Sequence, residues 1–306
     1  MSSRFGRVPA ISKSAAPVGG GWPRTHIGTV VAAAGIGILL VAAITVITLG
    51  EGQIRYTADS TNTIPIWHPW FAAAVGIGLL LITPTTGFDR SCTPPGGCAA
   101  DGFVLLALAL AFTIALTLLG PSEPAYTALK SGLLLLGPLL LFAARRRFAR
   151  VTRTGVTEAS PPPTANGAPW WPLLPVLGWI VTYLALSLTH AEAGYEADML
   201  TVVAAALLVF LLNAVLEEFF YRRWLQTRWE AILGGVWPAI IVSSLTWASW
   251  HIAVQGTGDW IVDLANVFAN QGITGLFLGL LWRRHRVMWP LLLVHGLMNA
   301  NPLTLF

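Results

Sequence analysis

Hydrophobic residues in this chain come in long unbroken runs, without the strict alternation of a half-buried strand. Nine runs stand out, at 27–49, 68–84, 102–120, 127–144, 172–189, 199–221, 236–255, 264–282 and 288–302. A helix needs about 20 apolar residues to cross roughly 30 Å of hydrocarbon, and most runs approach or exceed that length. The runs at 68–84 and 288–302 are the short ones. Backbone polar groups in lipid must be paired inside the segment that carries them, so such runs predict helices. The pattern predicts an all-α fold, a polytopic membrane helix bundle of about nine transmembrane helices.

Composition sharpens this reading. Only 10% of the 306 residues are charged, 55% are hydrophobic, 14 are Trp, and the mean hydropathy is +0.67. Soluble domains carry charge on about a quarter of their residues. Of the 18 Lys and Arg, all but Arg55 and Lys130 fall in the tail and in alternate loops. They are Arg4, Arg7, Lys13 and Arg24; Arg90; Arg145, Arg146, Arg147, Arg150 and Arg153; Arg222, Arg223 and Arg228; and Arg283, Arg284 and Arg286. By the positive-inside rule this predicts a multi-pass protein of the inner or plasma membrane, its N-terminus cytoplasmic and its C-terminus outside. The net charge of +4 and pI near 9.4 then reflect topology, and no nucleic-acid partner is needed to explain them.

The domain reading follows the polar interruptions. Residues 1–26 read as a disordered cytoplasmic tail, 27–144 as a four-helix membrane region, 145–171 as a Pro/Ala/Thr-rich cytoplasmic linker, and 172–306 as the membrane region that carries chemistry. The tail is not read as a cleavable signal, since the run after it is too long. Cys92 and Cys98 are spaced wider than a CxxC pair and read as ordinary loop cysteines.

The spans after residue 171 contain Glu217, Glu218, His251 and His295, and charge inside a span usually marks function. Glu218 and Arg222 are four apart, share a helical face and can pair, while Glu217 points elsewhere, on the face of Asn213 and Tyr221. Counting back from the turn at Leu233 to Gly235 puts Glu217 and His251 about 20 Å from it on adjacent antiparallel helices, at one level. His295 and Asn299 are four apart on the last helix, where imidazole and carboxamide can both donate to one oxygen. A carboxylate and a histidine that activate water, opposite two oxyanion donors, make a site able to hydrolyse an amide.

The ordered motifs EExxxR (Glu217 to Arg222), an aromatic four before a histidine (Trp247, His251) and HxxxN (His295, Asn299) resemble the CPBP family. This family comprises the CAAX proteases and bacteriocin-processing enzymes, intramembrane glutamic endopeptidases. The resemblance covers roughly residues 172–302. It implies Glu217 as water-activating base with His251, His295 and Asn299 as oxyanion hole, Glu218 and Arg222 as a supporting ion pair, and Asn213, Tyr221 and Trp247 lining the pocket. It implies a membrane-associated or lipid-anchored protein or peptide as substrate and no cofactor. Zinc on Glu217, His251 and His295 is the alternative, disfavoured by the lack of an HExxH pair. Family members usually carry Phe where this chain has Trp247, an exchange expected to alter pocket shape more than chemistry. Two non-peptidase readings compete: a scaffold or immunity protein that keeps the fold without catalysis, and a proton-coupled transporter, which would call for matching repeats with broken helices.

Overall fold

A computed structural model describes residues 26–56, 62–85, 98–152, 170–189 and 198–305. The nine apolar runs each form a helix among these residues. They are α1 (His26–Leu49), α2 (Trp67–Ile82), α3 (Cys98–Leu119), α4, α5 (Leu173–Ser187), α6 (Met199–Leu233), α7 (Val236–Ser249), α8 (Trp260–His285) and α9 (Trp289–Asn299). Helix α4 starts as Ala125–Lys130, passes through the π-helical turns Ser131–Leu136 and continues as Gly137–Thr152, eight residues beyond the predicted end of its span at 144. Helices α1, α3, α4, α6 and α8 are long and apolar enough to cross a membrane. Helix α9, with 11 residues, reaches only about 16 Å and must be embedded among longer neighbours. Cys92 and the tail through residue 25 lie outside the described residues, as does the linker from 153 to 169.

One small element escaped the hydrophobic pattern. After Glu51 and Gly52, both at positive φ, Gln53–Arg55 pairs antiparallel with Thr63–Pro65. Its Ile54 is fully buried in a satellite cluster with Val46, Ile66, Ala265 and Ala269, which pins the hairpin to α1 and α8.

The helices of the first half pack onto those of the second. Helix α1 lies on α7 and α8, α2 on α5 and α8, and α3 on α6 and α7. Small residues allow the close approaches, as expected where lipid tails are as apolar as the side chains. A Cβ on Gly35 of α1 would stand 1.9 Å from Ile241 Cγ2 of α7, and one on Gly178 of α5 would stand 2.1 Å from Leu79 Cδ1 of α2. A larger residue at either point would require the facing Ile241 or Leu79 side chain to move.

Polar clamps differ between the two ends of the bundle. At one end Asp101 meets Arg145 at 2.8 Å and Arg228 at 3.8 Å, Glu230 meets Arg286 and Arg283, and Arg284 Nε donates to Thr83 O at 3.1 Å, capping the carbonyl end of α2. At the other, Asp198 caps α6 through Thr201 N at 3.1 Å and Asp259 caps α8 through Ile261 N at 3.1 Å. The Thr201 hydroxyl, then its backbone N–H, hold the Asp198 carboxyl below the usual carboxylate range. Exposed Trp170, Trp171 and Trp237 mark the first end and Trp67 and Trp260 the second, the distribution of interfacial aromatic belts.

Candidate active site

Helix α6 carries the carboxylates, and its backbone around them departs from regular α geometry. Phe210–Val215 and Glu218–Gln226 are π-helical, flanking Glu217. Wider turns of this kind recur at functional sites. The Glu218–Arg222 pairing survives the change of winding, with Arg222 Nε 3.3 Å from Glu218 Oε2 and both side chains fully buried. Arg222 is fixed further by Nη1 donating to Ser243 Oγ of α7 at 3.0 Å, and Ser243 donates in turn to the Tyr221 carbonyl at 2.8 Å.

The other oxygen of Glu218 accepts a hydrogen bond from His295 Nδ1 at 2.8 Å, tying α9 to α6. Glu217, one residue back, faces two further donors. The Lys130 ammonium of α4 donates to its Oε1, and Trp247 Nε1 of α7 donates to its Oε2 at 2.5 Å. His295 Nε2 stands 3.9 Å from the same Oε2, beyond direct hydrogen-bond range. His251 sits where α7 breaks after Ser249. Its Nδ1 donates to the Trp247 carbonyl at 3.1 Å, which leaves the Nε2 lone pair free to accept. Its ring stacks on Trp250 at 3.8 Å and meets Trp247 edge-on at 5.3 Å. The Trp247 ring is also 5.3 Å from His295 and lies 5.0 Å under the Arg222 guanidinium. One indole thus contacts both histidines and also Glu217 and Arg222 of the EExxxR motif.

Six residues predicted from sequence therefore converge: Glu217, Glu218, Arg222, Trp247, His251 and His295. Trp247 links Glu217 and His251, its Nε1 donating to the one and its carbonyl accepting from the other. Asn213 is engaged as well, its Oδ1 accepting from Lys130 Nζ at 2.6 Å and from Tyr126 OH at 3.1 Å. Tyr221 is buried beside Phe220, and its hydroxyl has no hydrogen-bond partner among the described residues.

Three of the predicted residues stand in surroundings that spacing alone did not give. Asn299 does not join the cluster: it ends α9 exposed, with no hydrogen bond among the described residues, because the helix stops there and carries it one turn past His295. His295 in its neutral form spends its one N–H on Glu218, so its Nε2 donates to an oxyanion only as imidazolium. Trp247 changes chemistry as well as shape, since its N–H bonds Glu217 and a Phe ring has no donor.

Lys130 is the residue that sequence reasoning passed over, although it had left a signal. It was one of two basic residues outside the alternate-loop pattern, placed in a span with no positional reason for a charge. Its presence balances the site: two carboxylates, Glu217 and Glu218, against two cations, Lys130 and Arg222. A buried carboxylate without such a partner costs several kcal/mol.

The fit to a metal is poor. Among the described residues no group of three His, Cys, Asp or Glu side chains is arranged to hold an ion. A cation on Glu217 would have to displace the Lys130 ammonium or share an oxygen with the Trp247 N–H.

Residues 199–301 match the model of the family described as type II CAAX prenyl endopeptidase Rce1-like. No curated protein and no solved structure matches the chain significantly. The matched stretch runs from α6 to the end of α9 and contains Glu217, Glu218, Arg222, Trp247, His251, His295 and Asn299. It begins later than the resemblance read from the motifs, leaving out α5, and it does not reach Lys130. That stretch, with the three motifs in order inside it and all of their named side chains except Asn299 gathered in one buried cluster, is similar to the type II CAAX prenyl endopeptidases of that family model.

Proposed function

We propose that the protein is an intramembrane glutamic peptidase that cuts a membrane-associated or lipid-anchored protein or peptide, without a metal. The observation that carries this reading is the convergence of Glu217, His251 and His295 from three helices around the buried ring of Trp247. A carboxylate has about four lone-pair positions, and Lys130 and Trp247 occupy two of those on Glu217. The others can accept from water. His251 Nε2, with its proton fixed on Nδ1, offers a second acceptor to the same molecule.

As that water adds to the scissile carbonyl carbon, its proton passes to Glu217 and the carbonyl oxygen becomes an oxyanion. Imidazolium His295, anchored to Glu218 through Nδ1, donates Nε2–H to that oxygen. Asn299, on the same face one turn toward the helix end, supplies a second donor once a peptide lies across α9. Donors of this kind contribute about 2.7–4 kcal/mol each. Glu217 then returns its proton to the leaving amine as the C–N bond breaks, and the carboxylate is restored.

The family description names a prenyl endopeptidase, so a farnesylated CAAX peptide is the first substrate to offer. In topology we place the Arg-rich end of the bundle in the cytoplasm, which supports a cytoplasmic N-terminus and an external C-terminus. The decisive comparison is wild type against Glu217→Gln, His251→Ala and His295→Ala in native membranes. Protein termini are mapped by mass spectrometry, and peptide cleavage is followed in parallel. The expected outcome is loss of specific termini and of cleavage at unchanged protein abundance, with Asn299→Ala reduced but active. Identical termini in wild type and Glu217→Gln would overturn the reading. They would favour a non-catalytic scaffold, for which the double hydrogen bonding of Glu217 is then a structural feature.

A further inference from the structure

The N-terminal helices look at first like a packing partner for the family segment, but α4 sends one side chain into its centre. Lys130 is fully buried, and its three N–H bonds have three acceptors: Glu217 Oε1, Asn213 Oδ1 at 2.6 Å and Tyr126 OH at 2.6 Å. The ammonium also lies 4.7 Å over the Trp250 ring and 4.8 Å over the Tyr126 ring, within cation–π range. Tyr126 closes the loop by donating to the same Asn213 oxygen. The helix turns π-helical immediately after Lys130, at Ser131.

We infer that Lys130 is a positioning residue of the active site, supplied by a helix outside the family segment, and this rests on the peptidase reading above. Three observations support positioning over simple packing. Lys130 bonds only Oε1, and so turns Oε2 toward Trp247 and His295. Its second aromatic contact, Trp250, is the ring on which His251 stacks, so one ammonium braces both members of the water-activating pair. Its direct ion pair is with Glu217, while Arg222 is held by Glu218 and Ser243.

The functional unit on this view extends from α4 to α9. Its active site is incomplete in the matched residues 199–301.

The test uses the full chain in lipid nanodiscs with a farnesylated CAAX peptide. The variants are Lys130→Met, Lys130→Arg and Lys130→Met combined with Glu217→Gln, each with activity normalised to folded protein. Lys130→Met is expected to lower kcat per folded molecule about 100-fold, the effect of a misplaced catalytic group, with KM changed by less than about twofold. Lys130→Arg keeps the charge and should recover part of that loss, but a planar fork cannot meet all three acceptors. Should Lys130→Met fold poorly, adding Glu217→Gln removes the unpaired carboxylate, and thermal stability should return without activity. Wild-type kcat per folded molecule in Lys130→Met would overturn the positioning role while leaving the peptidase reading intact. A wild-type protein that cleaves neither this peptide nor any native substrate would overturn both.

Discussion

Replacing Glu218 by Gln removes one charge from a cluster in which every charged group is buried. Arg222 would keep its hydrogen bond to Ser243 but lose the carboxylate 3.3 Å from its Nε, and His295 would face an amide in place of a carboxylate. Breaking a buried pair by deleting one partner costs about 3–5 kcal/mol, because the surviving charge stays buried without compensation. The lower end applies here: Glu217 is the neighbouring residue in the same cluster and still attracts the guanidinium. At about 2–3 °C per kcal/mol, the midpoint of thermal unfolding should fall by roughly 6–10 °C. The assay is thermal unfolding in nanodiscs of wild type, Glu218→Gln, Arg222→Met and the double variant, read as a cycle. The double variant removes both charges and should be more stable than either single one, giving a coupling of about 2 kcal/mol or more. Additive losses, or a Glu218→Gln midpoint within about 2 °C of wild type, would refute the reading of Glu218 and Arg222 as a stabilising buried ion pair.

Two further outcomes follow from the geometry of Glu217. Trp247→Phe, the residue the family usually carries here, removes the 2.5 Å donor to Oε2 but keeps an aromatic ring between the histidines. A hydrogen bond to a charged group contributes about 1.5–3 kcal/mol, so kcat should fall roughly 10- to 150-fold while the protein stays folded. Equal kcat in the two forms would reduce the indole to a space-filler. Incubation with EDTA followed by desalting should leave cleavage of the farnesylated peptide unchanged. Loss of cleavage restored by added zinc would replace the water-activating carboxylate with a metal mechanism.

The parts of the site legible in the sequence were those governed by local spacing. Four-residue intervals fixed the pairing of Glu218 with Arg222 and the descent from Trp247 to His251, and run lengths located the helices. What needed three dimensions was the set of partners from distant positions. The π-helical turns around Glu217 depend on how α6 packs, since no Pro or Gly between Met199 and Leu233 marks them. Asn299 shows that a shared helical face does not guarantee shared depth, because the face continues to the exposed end of α9. Lys130 is separated from Glu217 by 87 positions, so no motif window could join them. The chain nevertheless betrayed it through energetics. A lysine inside a span is expensive unless a partner is waiting. Among the described residues, the buried acidic residues inside the spans of the second half are Glu217 and Glu218, apart from Asp263, which closes its own loop through Thr257 and Gly258. Arg222 answers the second. By charge balance alone, the stray cation of the first half and the unanswered carboxylate of the second belonged together, and that argument would apply to any polytopic chain with one misplaced lysine and one misplaced glutamate.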